Sequence, residues 1–184
     1  MSEHAHIDGS NKRIAVLIAV LAALLAIAET GAKSAQTDVL TQHVEATNMW
    51  TFFQAKTVRQ TLVRTAAEEL EAQYKDAGNA PPAVKAQLDK WKETVTRYET
   101  EPSTNEGRKE LMARAKVYEA RREKARSAYH LFEYGSAAFQ LAIVLASAAA
   151  VTSVMLLAFA AGGLGLAGAA LAGLGFFAPH LLHL

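Results

Sequence analysis

The stretch that decides the fold is YGSAAFQLAIVLASAAAVTSVMLLAFAAGGLGLAGAALAGLGFFAPHLLHL, residues 134–184. It contains no Asp, Glu, Lys or Arg, although these residues make up 20% of the chain. A helix needs about 20 apolar residues to cross a bilayer core, so this stretch is long enough for two crossings. We expect the turn between them at the glycine cluster of Gly162, Gly163 and Gly165. The sequence therefore predicts transmembrane helices at 136–159 and at 160–184, the latter including the C-terminus.

A further apolar run, Ile14 to Ala28, follows Lys12 and Arg13 near the N-terminus. A secretory signal is one interpretation, because Ala26-Ile27-Ala28 resembles a small-x-small cleavage site. The run extends to residue 32 if Glu29 and Thr30 lie at the membrane interface. At 1.5 Å per residue, 14–32 reaches about 28 Å, just enough to cross a bilayer core. We favour an uncleaved transmembrane helix at 14–32, preceded by a short polar tail at 1–13.

Residues 33–135 have a different composition and form the predicted soluble domain. Of the 19 Lys and Arg residues, 17 lie between Lys33 and Arg126, where they alternate with Asp and Glu. Mixed signs are typical of a solvated helical surface, whereas a nucleic-acid footprint needs one dominant sign. The chain has no cysteine, which excludes disulfides, thiolate catalysis and Cys-ligated metals.

This middle segment is predicted to be helical almost throughout, because Gly and Pro are scarce in it. The sequence indicates a turn near 78–82 (Gly-Asn-Ala-Pro-Pro) and a break near 101–105, where Ser103 and Glu106 have the spacing of a capping box. A long helix at 33–77 would then turn back as helices at 83–100 and 104–135. The expected fold is an all-α membrane protein with three transmembrane helices. A long antiparallel helical hairpin, a coiled-coil-like stalk, would be inserted between the first and the second.

Two apolar stripes support the hairpin. The returning arm carries residues that alternate four and three positions apart, namely Val84, Leu88, Trp91, Val95 and Tyr98. The outgoing arm repeats every fourth residue at Val58, Leu62, Ala66 and Leu70. We expect each stripe to pack on the neighbouring helix. A seam this narrow leaves little core, so packing between subunits is expected to add stability.

Three aromatic rings lie close together on the outgoing helix: Trp50, Phe52 and Phe53. Consecutive helix positions point about 100° apart, so the three rings cannot all face one partner. Either one ring meets another subunit, or the rings form an oversized local core where three helices meet. The sequence leaves both interpretations open.

The same region carries a family resemblance. Lys-Ser-Ala-Gln-Thr at 33–37 and Asn-x-Trp-x-Phe-Phe-Gln-Ala-Lys at 48–56, with Arg59, resemble an uncharacterised bacterial inner-membrane protein family, a domain of unknown function. The resemblance covers nearly the full length and implies three membrane segments around a helical insert. It implies no activity and no site residues.

Small residues recur every fourth position in both C-terminal spans. The second span has Ala138, Ala142, Ala146 and Ala150, and the third has Ala161, Gly165, Ala169 and Gly173. Small residues at this spacing let helix backbones approach closely within lipid. Within one chain this packing would hold the two spans together, and between chains it would build a ring or bundle. We expect a homo-oligomer, with contacts at Trp50, Phe52, Phe53, Ala161, Gly165, Ala169 and Gly173.

The polar residues near the membrane give weak functional signals. Glu29 either pairs with Lys33 one turn on or forms a cation-attracting ring in an oligomer, so a low-ranking ion path would use Glu29, Thr152 and Ser153. His4 with His6, and His180 with His183, lack the third protein ligand of a defined zinc site. We expect no metal, no cofactor and no catalytic residues.

Positive charge beside the membrane sets the expected orientation. Lys33 and the cluster of Arg121, Arg122, Lys124 and Arg126 outweigh Lys12 and Arg13, which favours a cytoplasmic helical domain on a bacterial inner membrane. A periplasmic domain stays open as the alternative. The function that we expect is a non-enzymatic homo-oligomeric scaffold in membrane lipid, with an unidentified protein partner at the helical domain as a further option and no nucleic acid. The alternative is an ion-conducting or ion-driven assembly whose topology resembles bacterial stator proteins.

Overall fold

Four helices account for nearly all of the described chain. The computed structural model describes residues 9–75 and 80–181, with side chains for 12–74 and 80–181. The helices are α1 (Gly9–Lys75), α2 (Pro82–Glu99), α3 (Arg108–Thr152) and α4 (Met155–Phe177). No strand occurs within the described residues. The tail residues His4 and His6, His183, and residues 78 and 79 of the expected first turn lie outside them.

Three of these helices, α1, α3 and α4, are long and apolar enough to cross a membrane. Their most apolar windows have mean hydropathies of 2.4, 1.6 and 1.9. The prediction of an all-helical protein with three membrane-length helices is therefore confirmed. The expected boundaries of the first span and of the insert lie inside helices, because α1 and α3 each continue without a break from an apolar to a charged segment.

The chain divides into two compact units. The apolar unit comprises Met1–Leu40 and Arg122–Leu184, and the charged unit comprises Thr41–Arg121. The charged unit is shorter than the soluble segment expected at 33–135, because residues on both of its flanks belong with the apolar helices.

The turn between α3 and α4 is not at the glycine cluster, so that prediction was wrong. The helix α3 ends at Thr152, and Ser153 has a left-handed φ of 58°. The backbone N–H of Ser153 still donates to Ala149 O at 2.9 Å, and α4 begins at Met155. Gly162 and Gly163 lie within α4. A glycine breaks a helix only where the chain needs its freedom, and inside an apolar helix its small size serves packing instead.

The break before α3 also differs from the expected capping box. Ser103 lies within a hydrogen-bonded turn in which the N–H of Asn105 donates to Glu101 O at 3.0 Å, and α3 begins only at Arg108. Asn105 takes a left-handed φ of 57°, which Asn tolerates better than most residues. A Cβ at Gly107 would lie 2.5 Å from the backbone nitrogen of Glu101. The tight return of the chain at Gly107 therefore excludes a side chain there.

The stripe on α2 faces inward as predicted, whereas on α1 only the second half of the stripe, Ala66 and Leu70, is partly buried. Leu88 is buried, and the other four residues of the α2 stripe are partly buried. On α1, however, Val58 and Leu62 are 59% and 65% exposed. The buried positions at this height are Lys56 and Gln60, because polar groups of α2, of α3 and of the segment between them take up the inner face of α1.

The core of the apolar unit is built by large side chains of α1 and α3 packed on glycines. Phe132 lies between Gly31 of α1 and Gly175 of α4, where a Cβ would come within 2.8 Å and 3.1 Å of its ring. Phe139 packs on Gly168 in the same way, with a Cβ-to-ring distance of 3.1 Å. Glycine at these positions lets the helices approach closely enough to enclose each ring.

The buried face of α4 corrects the predicted four-residue stripe. Its buried residues are Ala161, Gly165, Gly168, Ala172 and Gly175, which alternate four and three positions apart. A strict spacing of four drifts about 40° around the helix per repeat, because the helix has 3.6 residues per turn. An alternating spacing averages 3.5 and stays on one face. Ala161 and Gly165, which were expected as contacts between subunits, are buried within the chain, Ala169 is only partly buried, and a Cβ at Gly173 meets nothing within 4 Å.

Candidate functional site: an aromatic and charged cluster

The three aromatic rings of α1 all find partners within the charged unit. The Trp50 Nε1–H donates to Glu119 Oε1 of α3 at 2.8 Å, and the indole packs edge-on against Phe53 with 5.5 Å between ring centroids. Phe52 and Phe53 each carry a cation over the ring. The rings thus lie in a local core where α1 meets α2 and α3, while the contact of a ring with another subunit stays a prediction.

Lys56 is the cation over Phe52, and it lies at the centre of the cluster. Its side chain is 7% exposed, and its Nζ lies 5.6 Å from the ring centroids of both Phe52 and Tyr98. The same Nζ donates to Glu101 Oε2 at 3.2 Å and lies 3.9 Å from Glu106 Oε2. An ammonium this deeply buried needs a close carboxylate, since an unpaired buried charge is strongly destabilising. The aromatic faces add a favourable electrostatic contact.

Arg108, the first residue of α3, is the cation over Phe53. The guanidinium carbon lies 5.0 Å from the ring centroid. The Nε–H donates to Thr57 Oγ1 at 2.9 Å, and an η-nitrogen donates to Gln60 Oε1 at 2.6 Å and to Glu99 Oε2 at 2.7 Å. A planar guanidinium can satisfy several acceptors in fixed directions, which a lysine cannot do. Arg108 thereby connects α3 with α1 and with the last residue of α2.

Gln60 completes the connection between the three helices. Its amide nitrogen donates to Val95 O at 3.0 Å and to Glu99 Oε2 at 3.1 Å, and the side chain is buried. The hydrogen bond from Gln60, followed by the positive charge of Arg108, lowers the pKa of Glu99 from its ordinary value of 4.5, although burial opposes the shift. Glu99 is therefore ionised at neutral pH, as its contacts require.

The cluster as a whole combines two cations with three carboxylates whose contacts are with one another. Its geometry is that of a lock between helices, because each polar group has a specific partner on another element. Sequence patterns alone did not identify Gln60, Glu99, Glu101 or Arg108 as members of a site. Lys56 lay within the motif that carried the family resemblance, but its burial is a consequence of tertiary packing. Within the described residues, no group of three His, Asp or Glu side chains could hold a metal ion.

The apolar unit holds a second polar feature, a groove between α1 and α3. The groove has a volume of about 520 Å³, and its polar lining residues are Glu29, Lys33, Gln36, Tyr129, Glu133, Ser136 and Gln140. The Glu29 Oε1 accepts from Gln140 Nε2 at 3.4 Å. Among the described residues, no ion pair joins Glu29 to Lys33, so the simpler sequence interpretation of Glu29 was wrong. Its partner is an amide on another helix.

The three residues of the expected ion path are not brought together. Thr152 and Ser153 lie at the turn between α3 and α4, and the Thr152 hydroxyl donates to Ala148 O at 2.8 Å. Gln140, the partner of Glu29, lies about 18 Å away from Thr152 along α3 at 1.5 Å per residue. The hydroxyl bond to a carbonyl one turn back is a common local contact of Thr in helices. Glu29 therefore lies apart from Thr152 and Ser153, in the groove between α1 and α3.

Comparison with known proteins gives a family without an assigned activity. No curated protein and no solved structure matches the chain. A family model described as a domain of unknown function, DUF4337, matches residues 10–178, which include all of α2, α3 and α4 and all but the first residue of α1. Because this match covers far more than half of the sequence, the chain belongs to the DUF4337 family.

Proposed function

We propose that this protein is a non-enzymatic membrane scaffold that works as a homo-oligomer. Three membrane-length helices support the membrane location, and the charged unit would project from the membrane as an antiparallel helical hairpin. The contacts of α1 with α2 favour this arrangement, since Glu71 pairs with Lys92 and Gln60 with Val95 and Glu99. The residue numbers of the partners therefore rise along α2 as they fall along α1, as in a pair of antiparallel helices.

The observation that carries the oligomer is an unused surface of small residues on α4. A Cβ at Gly162, Gly163 or Gly173 would meet no atom within 4 Å. In a membrane, helix association depends on close backbone approach at small residues, because lipid provides no hydrophobic drive. These glycines are not needed for packing within the chain, so a second copy would be the surface that uses them. Trp50, Phe52 and Phe53 are only partly buried, and a protein partner would meet the charged unit there.

A scaffold role agrees with the chemistry of the charged unit. The cations and carboxylates of the cluster are used in mutual pairing, and no constellation in it resembles a nucleophile with an activating base. Positive charge at the start of the second apolar segment favours a cytoplasmic charged unit on a bacterial inner membrane.

Native mass spectrometry of the full chain, released from mild detergent, tests the proposal. A single defined subunit number is the expected result. The variant Gly162→Leu should lower that number, whereas Leu156→Ala, a change at an exposed residue of the same helix, should leave it unchanged. A monomeric wild-type protein would contradict the homo-oligomer.

The second candidate is an ion-conducting assembly, favoured by the carboxylate of Glu29 in the groove beside Gln140. A carboxylate near membrane depth is costly and commonly functional. Ion flux into liposomes containing the wild type or Glu29→Gln distinguishes the two candidates. A scaffold gives no protein-dependent flux in either preparation.

A further inference from the structure

Within the charged unit, α1 has two faces that follow the same seven-residue interval. The positions 46, 53, 60 and 67 are all buried or partly buried against the rest of the unit. The positions 44, 51, 58 and 65 are all exposed, and their residues are Val, Thr, Val and Thr. Residues two apart on a helix point about 200° from one another, so these sets lie on nearly opposite faces. One face is covered within the chain and the other is open.

The open face repeats at the interval of the first core position of a coiled-coil seam. A seven-residue repeat of β-branched residues is typical of the first core position of parallel two-stranded coiled coils. Val44 and Val58 are 55% and 59% exposed, and Leu62 beside them is 65% exposed. We propose that the exposed stripe of Val44, Thr51, Val58 and Thr65 pairs with the same stripe of a second copy of this chain, in parallel and in register. This inference rests on the proposed membrane homo-oligomer.

A second copy fits this stripe because the chain itself fixes the geometry. Each α1 begins with its own apolar, membrane-length segment and continues without a break into the charged unit. Two copies inserted in the same direction therefore have parallel α1 helices with equal residues at equal height. An in-register parallel coiled coil needs this arrangement, whereas an unrelated partner would have to present a matching repeat independently.

Two threonines beside the stripe, Thr47 and Thr61, have their hydroxyls satisfied within the chain. The Thr47 hydroxyl donates to His43 O at 2.9 Å and the Thr61 hydroxyl donates to Thr57 O at 3.0 Å. The second core positions of the same register, Thr47, Gln54 and Thr61, carry no charge either. At the end of the stripe, Arg64 and Glu69 are exposed and have the spacing that pairs opposite charges across a parallel coiled coil. Arg64 of one copy would face Glu69 of the partner subunit.

The size of the stripe sets the strength that is expected. From Val44 to Thr65 the helix rises about 32 Å, and a face about 10 Å wide gives roughly 300 Å² per copy. A typical stable interface buries about 800 Å² per partner. The stripe alone is therefore too small for a stable dimer in solution. It is suited to chains whose effective concentration the membrane already raises.

Disulfide cross-linking tests the pairing directly, because the chain has no cysteine of its own. The full chain in liposomes would carry one cysteine at a time: Thr51→Cys and Val58→Cys on the stripe, and Arg59→Cys as the control. Arg59 is also exposed but points about 100° from Val58. With a copper oxidant and non-reducing electrophoresis, covalent dimer should form at least about fivefold faster at positions 51 and 58 than at 59. Arg64→Glu in the Val58→Cys background should slow the reaction, and Arg64→Glu with Glu69→Arg should restore it.

The outcomes separate this inference from the proposed function. Equal cross-linking at all three positions, or none, in a protein that native mass spectrometry finds oligomeric would overturn the pairing and leave the oligomer intact. No cross-link in a protein of monomeric mass would overturn both. If Val58→Cys is shielded from a maleimide in native membranes but forms no covalent dimer, another protein covers the stripe and the pairing is wrong.

Discussion

Replacing Gly168 with alanine should destabilise the apolar unit, whereas replacing Gly173 should not. Both residues lie in α4, and both replacements add one methyl group to a helix. A Cβ at Gly168 would lie 3.0 Å from the carbonyl oxygen of Gly135 and 3.1 Å from two ring atoms of Phe139. A Cβ at Gly173 would meet nothing within 4 Å. The sequence pattern had selected Gly173 as a contact and not Gly168. The two variants therefore distinguish a prediction made from sequence periodicity from one made from packing distances.

The magnitude follows from two opposing effects. Alanine is favoured over glycine in a helix by about 0.5–1 kcal/mol, and both variants gain this. At Gly168 the neighbours are a backbone carbonyl and the ring of Phe139, which is 1% exposed, so neither can move away cheaply. Overpacking of this kind costs about 1–3 kcal/mol. We expect Gly168→Ala to be less stable than Gly173→Ala by about 1–3 kcal/mol, or roughly 5- to 150-fold in the ratio of folded to unfolded protein.

The assay is reversible unfolding of the full chain in mixed micelles, by titration with a denaturing detergent and with helix content and Trp fluorescence as readouts. Wild type, Gly168→Ala and Gly173→Ala are compared at a detergent-to-protein ratio at which each is monomeric, so that the proposed contact of Gly173 with a second copy does not contribute to the measured stability. Gly173→Ala should equal or slightly exceed the wild type. Equal stability of the two variants to within about 0.5 kcal/mol would show that α3 and α4 do not approach each other at Gly135 and Gly168, and the packing argument would fail.

Three further predictions concern the charged cluster and the groove. Arg108→Lys should lower the free energy of unfolding of the charged unit by about 1–3 kcal/mol, because lysine cannot reach Thr57, Gln60 and Glu99 together. Arg114→Lys, at an exposed position of the same helix, is the control. An equal effect of both variants in chemical denaturation would refute the role of the cluster. Because the pKa of Glu99 is lowered in the folded protein, its stabilising contribution is present above pH 4.5 and is lost as the pH falls further. Glu99→Gln should therefore weaken the loss of stability on acidification, followed by circular dichroism. An unchanged loss of stability below pH 4.5 would contradict the assignment. Glu29→Gln should leave liposome ion flux unchanged if the protein is a scaffold, so a changed flux would favour the ion-conducting alternative.

Composition and periodicity predicted several features correctly. The charge-free stretch at 134–184 and the apolar run at 14–32 located the three membrane-length helices, because the length and hydropathy of a segment are properties of that segment alone. The inward face of α2 was also predictable, since its only stripe of apolar residues had to face the rest of the protein. The four-and-three spacing on α2 is the same alternation that the buried face of α4 follows.

The remaining features were decided by tertiary structure. Periodicity identified an apolar face at Val58 and Leu62 but could not show that Lys56 and Gln60, on the other side of α1, are the residues covered. Burial of a lysine depends on carboxylates and rings that are distant in sequence, such as Glu101 and Tyr98.

The same reason applies to the glycines. Gly162, Gly168 and Gly173 look alike in the sequence, and only the position of Phe139 on α3 makes Gly168 the one that admits no side chain without a shift of its neighbours. Hydropathy and helix length therefore determined by themselves how many long helices the chain forms and which of them suit a membrane. Which residues meet was decided by distances between segments, since packing is a property of pairs of surfaces.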